Sequence, residues 1–149
     1  MQTFLPFESF RETAQCLDRQ RLGKQRVENL QIARALNDPS YGWQNHPAVK
    51  MWRGHEYSLF KYQLHICNEW TSRGYKDTCL DKTVEVFEGS DGIVQSSYPY
   101  WLGDDEFHLS HRSNLLRKDL EHYSKYFDCN NVPINMPYVW PEEREMIST

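Results

Sequence analysis

The sequence predicts a mainly α protein folded as a single compact helical domain. Three observations carry that expectation. At 149 residues the chain sits near the common size of one domain and is long enough to bury most of its apolar side chains around one core. Five Trp, nine Tyr and seven Phe supply that core, a composition far from that of a disordered chain. Apolar residues recur at helical spacing in the longer stretches, and segments dense in turn formers separate them.

A short helix is expected over about 8–17, followed by a charged helix over about 21–36, RLGKQRVENLQIARAL. At 3.6 residues per turn, Leu22, Leu30, Ala33 and Leu36 share one face, while Arg21, Lys24 and Glu28 stack on another. Residues 37–47, NDPSYGWQNHP, end that helix. A long helix over about 48–72 follows from the spacing of Trp52, Leu59, Phe60, Ile66, Cys67 and Trp70, with Gly74 as its cap. Residues 80–89, LDKTVEVFEG, read equally as strand or helix, and 89–101 as a loop. A further helix covers about 104–118, and the Pro-rich aromatic tail over 130–145 is expected to wrap the surface.

Composition also bounds function. No apolar run approaches the roughly 20 residues of a membrane span. The opening MQTFLPFESF lacks a basic segment followed by an apolar one, so no secretion signal is expected. Cys16, Cys67, Cys79 and Cys129 show no paired spacing, which points to reduced thiols and a cytoplasmic location. A net charge of −4 argues against indiscriminate nucleic-acid binding, but the charge is uneven. Arg19, Arg21, Lys24, Arg26 and Arg34 crowd the first third, and acidic residues crowd a later stretch.

Glu28 is the residue that asks most for a chemical role. It is a lone carboxylate among Arg21, Lys24 and Arg26, expected to stay ionised, on a stripe suited to phosphate oxygens. The bland alternative is a Lys24–Glu28 helix-surface pair worth about 0.2–0.5 kcal/mol. Arg26 and Glu56 each interrupt an apolar stripe, which suggests an ion pair between their two helices. Arg112, Arg117 and Lys118, with Ser113 and Asn114, suit phosphate positioning. Tyr41, Trp43, Tyr98, Tyr100, Trp101, Tyr138 and Trp140 could stack bases from loops. The run HEYSL at 55–59 lacks the second His of a zincin helix. His108 and His111 could chelate, but hydrogen-bonded histidines are commoner, and no metal is expected. No nucleotide-binding glycine loop or nucleophile elbow is present, so no cofactor is expected.

The order RLGKQRVE, then GWxNHP, then a long aromatic helix ending in RGY, then a second basic helix resembles the pyrimidine-dimer DNA glycosylase family. The likeness is closest to that family's small bacterial and phage members. It implies the T4 endonuclease V fold, DNA as partner and cleavage of the N-glycosidic bond of a damaged or modified base, with strand-cleaving lyase activity as an accompaniment. In the family, an N-terminal α-amine attacks the sugar C1′ and an early-helix glutamate assists; by motif position that glutamate is Glu28. The family's type member exposes a small residue by losing its initiator Met, whereas here Gln2 follows Met1. The amine implied is therefore that of Met1, with Lys24 as the substitute. Arg19, Arg21, Arg26, His46, Arg112, Arg117 and Lys118 are the implied contacts to phosphate or nucleic acid. An α-amine keeps a usable free-base fraction near neutral pH and can form a Schiff base at an anomeric carbon. If the Met1 amine is the nucleophile, the terminus must run inward, with Phe4 and Leu5 anchoring it beside Glu28. Two other functions compete: an N-glycosidic-bond enzyme acting on a free nucleoside or nucleotide, and a non-catalytic nucleic-acid-binding module.

Overall fold

The amino-terminal segment, which has no helical periodicity, is the axis on which the helices pack. In the computed structural model, which describes residues 1–89 and 98–141, residues 3–6 are buried. An extended buried strand without a neighbouring strand leaves its backbone polar groups needing partners, and side chains supply them. The Phe4 N–H donates to Gln25 Oε1 at 2.9 Å, and Gln25 Nε2 donates back to the Gln2 carbonyl at 3.0 Å. Tyr62 donates to the Phe4 carbonyl and Trp52 Nε1 to Thr3 Oγ1. From the other side, His108 Nδ1 meets the Leu5 carbonyl at 2.7 Å, and Arg112 donates to the Pro6 carbonyl at 2.7 Å. His111 Nδ1 accepts from the Leu5 N–H at 3.4 Å.

Seven helices among the described residues surround this segment: α1 Phe10–Cys16, α2 Arg19–Asn37, α3 Pro47–Lys50, α4 Glu56–Ser72, α5 Cys79–Glu88, α6 Asp105–Lys118 and α7 Leu120–Tyr123. Helix α2 packs against α3, α4 and α5, and α1 packs on α4. Ser9 caps α1, its hydroxyl accepting from the Glu12 N–H at 3.1 Å. Leu5, Leu17, Leu22, Ile32, Trp52, Tyr62, Ile66 and Phe107 belong to one core, so elements distant in sequence share a single apolar interior. At its centre Trp52 stacks on Tyr62 at 5.8 Å and meets Trp101 edge-on at 5.0 Å, the offset geometries aromatic quadrupoles favour.

The helix expected over 48–72 is two helices. Residues 51–54 leave the α-helix in tight turns, with Trp52 N–H bonded to the Val49 carbonyl and Arg53 N–H to that of Lys50. Gly54 at φ +83° then reverses the chain, a conformation that side-chain-bearing residues disfavour and a helix cannot contain. Periodicity continues across the break because Trp52 is buried from the turn as deeply as it would be from a helix. The expected cap at Gly74 is present at φ +96°: Tyr75 N–H returns to the Trp70 carbonyl and Gly74 N–H to that of Thr71, the paired bonds of a Schellman motif. The stretch 80–89, ambiguous in sequence, falls in helix α5 up to Glu88.

The Arg26–Glu56 pair does not form. Arg26 Nη1 instead meets Asp77 Oδ1 at 2.5 Å, and its guanidinium lies 4.4 Å from the Trp70 ring centroid. Trp70 comes this close to α2 because of Gly23, where a Cβ would fall 2.9 Å from the indole. Glu56, at the start of α4, accepts from the Gly54 N–H at 3.2 Å. The four cysteines are free thiols. No helix of the described residues is long and apolar enough to cross a membrane. Residues 90–97 of the expected loop and 142–145 of the tail lie outside the described residues.

Candidate active site

Helix α2 buries an unusually polar face. Gln25 and Asn29, one turn apart, are fully buried and bond to each other at 2.8 Å, and Asn29 donates to Gln63 on α4 at 3.0 Å. This amide ladder fixes α2, and through Gln25 it fixes the terminal segment beside Glu28. The Met1 nitrogen consequently lies 3.8 Å from Glu28 Oε1. The terminus is not frayed: the Met1 side chain is 1% exposed.

Glu28 is buried, so the charged stripe of α2 is not a wholly solvated face. Burial pushes its carboxyl above the usual glutamate range, while the terminal ammonium and then Lys24 pull it back. Desolvation thus outweighs the neighbouring cations in setting the direction of its shift. One oxygen faces the amine and, at 4.0 Å, the Lys24 ammonium; the other, Oε2, has no hydrogen-bond partner among the described residues. A carboxylate that is desolvated, adjacent to an amine and incompletely bonded can take and return a proton.

Lys24 stands at the mouth of this cluster with a side chain 67% exposed, so its ammonium is solvated whereas the terminal amine is anchored. His46 caps α3, its Nδ1 accepting from the Ala48 N–H at 3.0 Å, which leaves Nε2 to carry the ring proton. Its pKa is lowered by burial and then by the positive amino terminus, which places it within electrostatic reach of Met1. Trp43 and Trp140 pack edge-on against its ring at 5.8 and 6.3 Å. Arg21 pairs with Asp18 at 3.2 Å. Arg117 is tied into the tail, donating to the carbonyls of Ile134 at 2.6 Å and Met136 at 3.1 Å. Both charges are felt at the Tyr138 hydroxyl, which Glu28 also influences. Arg19 and Lys118 are exposed.

Other candidates lie apart. Arg26 is spent on Asp77 and Trp70. Arg112 is held by the Pro6 carbonyl and lines a separate cavity of about 670 Å³ with Phe10, Lys61, His65 and Tyr98. That cavity contains none of Met1, Lys24, Glu28 or His46. His108 Nε2 accepts from the Gly103 N–H at 2.9 Å, so both histidines of α6 serve backbone groups. No cluster of metal-binding side chains occurs among the described residues. Of the loop aromatics, Trp43, Tyr98 and Tyr100 are exposed, but Trp101 is core, its Nε1 bonded to the Met51 carbonyl at 3.0 Å. Gln2 was not anticipated: its side-chain oxygen accepts from the Thr3 N–H at 2.8 Å, and its backbone N–H faces Glu28. The pair Gln25 and Asn29, polar at core positions of α2, is the signal from which an inward terminus could have been read.

Among the described residues, a helical fold seats its own amino terminus beside a buried carboxylate, with Lys24 at the mouth of the cluster. A family model described as pyrimidine dimer DNA glycosylase matches residues 1–83, and the chain belongs to that family. It is accordingly a DNA glycosylase in general class, with DNA as its substrate partner. No curated protein and no solved structure matches the chain. The family match includes Met1, Lys24, Glu28 and His46 and ends before α6 and the tail.

Proposed function

We propose that this protein excises a damaged or modified base from DNA through a covalent imine formed by its amino terminus. The observation that carries the reading is the 3.8 Å approach of the Met1 nitrogen to Glu28, held by the buried Gln25–Asn29 network. The amine, as free base, attacks C1′ of the target nucleotide; the new C1′–N bond forms as the glycosidic bond breaks and the base leaves. Glu28 takes the proton the amine gives up and delivers it to the ring oxygen O4′ as the sugar opens to the imine. Loss of a C2′ proton then allows the 3′ phosphate to depart, which is the lyase step. Lys24, Arg21 and Arg117 hold backbone phosphates around the site, and Arg19 and Lys118 extend that surface. The target nucleotide must leave the base stack to reach the buried amine. Reduced thiols favour a cytoplasmic setting for this work.

Borohydride trapping tests the reading on end-labelled duplexes that are ultraviolet-irradiated, abasic or undamaged, with free nucleosides in parallel. Wild-type protein is expected to form a covalent adduct with damaged or abasic DNA. Glu28→Gln is expected to retain the helical circular dichroism spectrum and lose about 10²- to 10⁴-fold in rate, the usual weight of a positioned acid or base. Base release from nucleosides with no DNA adduct would replace this reading with the nucleoside-hydrolysing one.

A further inference from the structure

A large aromatic side chain in water and a left-handed backbone are each unfavourable, and one residue combines them. Among the described residues Trp43 is the only non-glycine at positive φ, +71°, and it is the most exposed tryptophan, at 55%. A bulky side chain in that region is a genuine outlier, and glycine would occupy the same place without strain. The indole is not what holds its loop. Gln44 Nε2 ties the loop to the end of α2 through the carbonyls of Ala35 at 2.7 Å and Asp38 at 2.9 Å. The His46 N–H then closes a turn on the Trp43 carbonyl at 3.0 Å. On the other side, a Cβ on Gly42 would meet nothing within 4 Å, so the chain before Trp43 faces open space.

Trp43 also begins a row of rings that runs from this surface to the amino terminus. It meets His46 at 5.8 Å, His46 meets Trp140 at 6.3 Å, and Trp140 meets Tyr138 at 5.9 Å. The Tyr138 hydroxyl in turn reaches the Gln2 side chain, next to the terminal residue. Directly after Trp43 the loop forms one wall of a cavity of about 630 Å³ lined by Gln44, Asn45, Lys50, Arg53 and His55, with no carboxylate among its described lining residues. Cations there suit a phosphodiester backbone, and an exposed indole beside them suits a base.

We infer that Trp43 is a substrate contact that stacks on the base of a nucleotide extruded from the duplex. This rests on the proposed function, which requires extrusion, and it assigns the residue that receives the base. A base laid on the indole covers apolar surface that the free protein leaves in water. The contact belongs to binding rather than to the bond-breaking step.

Two duplexes with a one-nucleotide bulge, one carrying thymidine and the other a tetrahydrofuran analogue at the bulge, differ only in the presence of a base. The wild type is expected to bind the thymidine bulge about tenfold more tightly, the weight of one base–aromatic stack. Trp43→Gly should abolish that preference and leave affinity for the analogue bulge unchanged. It should melt close to the wild type, because glycine's ease at φ +71° offsets the lost ring contact with His46. Trp43→Tyr, which keeps a stacking ring, should retain most of the preference. Equal affinity of the wild type for the two bulges overturns the inference, as does a preference that survives in Trp43→Gly. So does a Trp43→Gly protein that melts far below the wild type, since the indole then serves the loop. Failure of the proposed function reads differently: the wild type then traps no sugar on any duplex, a result the equilibrium binding comparison does not depend on.

Discussion

Placing two residues, Gly-Ser, ahead of Met1 converts the terminal amine into an amide and carries the new terminus away from Glu28. The charge pair at 3.8 Å is then lost. At an effective dielectric of about 20, opposite unit charges at that separation attract by roughly 4 kcal/mol. Removing one member of a buried pair costs about 3–5 kcal/mol because the other is left without its counter-charge. Lys24, 4.0 Å from the same oxygen but largely solvated, recovers only part of this. A destabilisation of about 3 kcal/mol is therefore expected, or roughly 6–12 °C in melting temperature for a chain of this size. Glu28→Gln in the extended protein should restore most of it, because no carboxylate is then stranded, and the double-mutant cycle isolates the pair. Borohydride trapping should vanish in the extended protein, and mass spectrometry of the wild-type adduct should locate the sugar on Met1. An extended protein that melts like the wild type and still traps DNA would refute both the buried pair and the terminal nucleophile, and Lys24 would become the amine to test.

The remaining predictions concern His111 and Arg26. Burial lowers His111 to about 3, below the ordinary 6.5 of an unfolded chain, so its stabilising contribution is fully present above pH 6.5 and is lost as the pH falls toward 3. Urea unfolding between pH 7 and 4 should show that decline, approaching about 1.4 kcal/mol per pH unit from this group, and His111→Gln should flatten it; an unchanged slope would mean the imidazole protonates without opening the fold. Arg26→Met breaks the 2.5 Å pair with Asp77 and should lower stability by about 3 kcal/mol, while trapping activity per folded molecule stays unchanged. A selective loss of DNA binding in that variant would return Arg26 to the phosphate-binding set.

Much of the helical layout was legible because it is set locally. Helix α2 follows from Leu22, Leu30 and Ala33 at helical spacing and from the turn formers after Asn37. Helix α6 follows from Asp104, whose side chain caps it, and from basic residues in its last turn. The break before α4 was not legible, since hydrophobic spacing records which residues are buried and not whether the backbone between them is helical. Trp52 satisfies either geometry. Nor could the pattern choose a partner for Arg26: it marks a charge on a packed face, and the loop that delivers Asp77, fifty-one positions away, leaves no periodic trace.

By itself the sequence determined the class of fold and the family, and it singled out Glu28 as a candidate, because helix periodicity and the RLGKQRVE run are properties of neighbouring residues. What the tertiary structure decided is where the amino terminus goes. Nothing in MQTFLP announces a destination; its burial depends on Gln25, Trp52, Tyr62, His108, His111 and Arg112, which read singly as misplaced polar or bulky residues and together supply the hydrogen bonds an isolated extended strand requires. Once the strand is seated, the distance from the Met1 nitrogen to Glu28 is set by the length of chain between them and by the pitch of α2, and no pattern short of the assembled fold contains it.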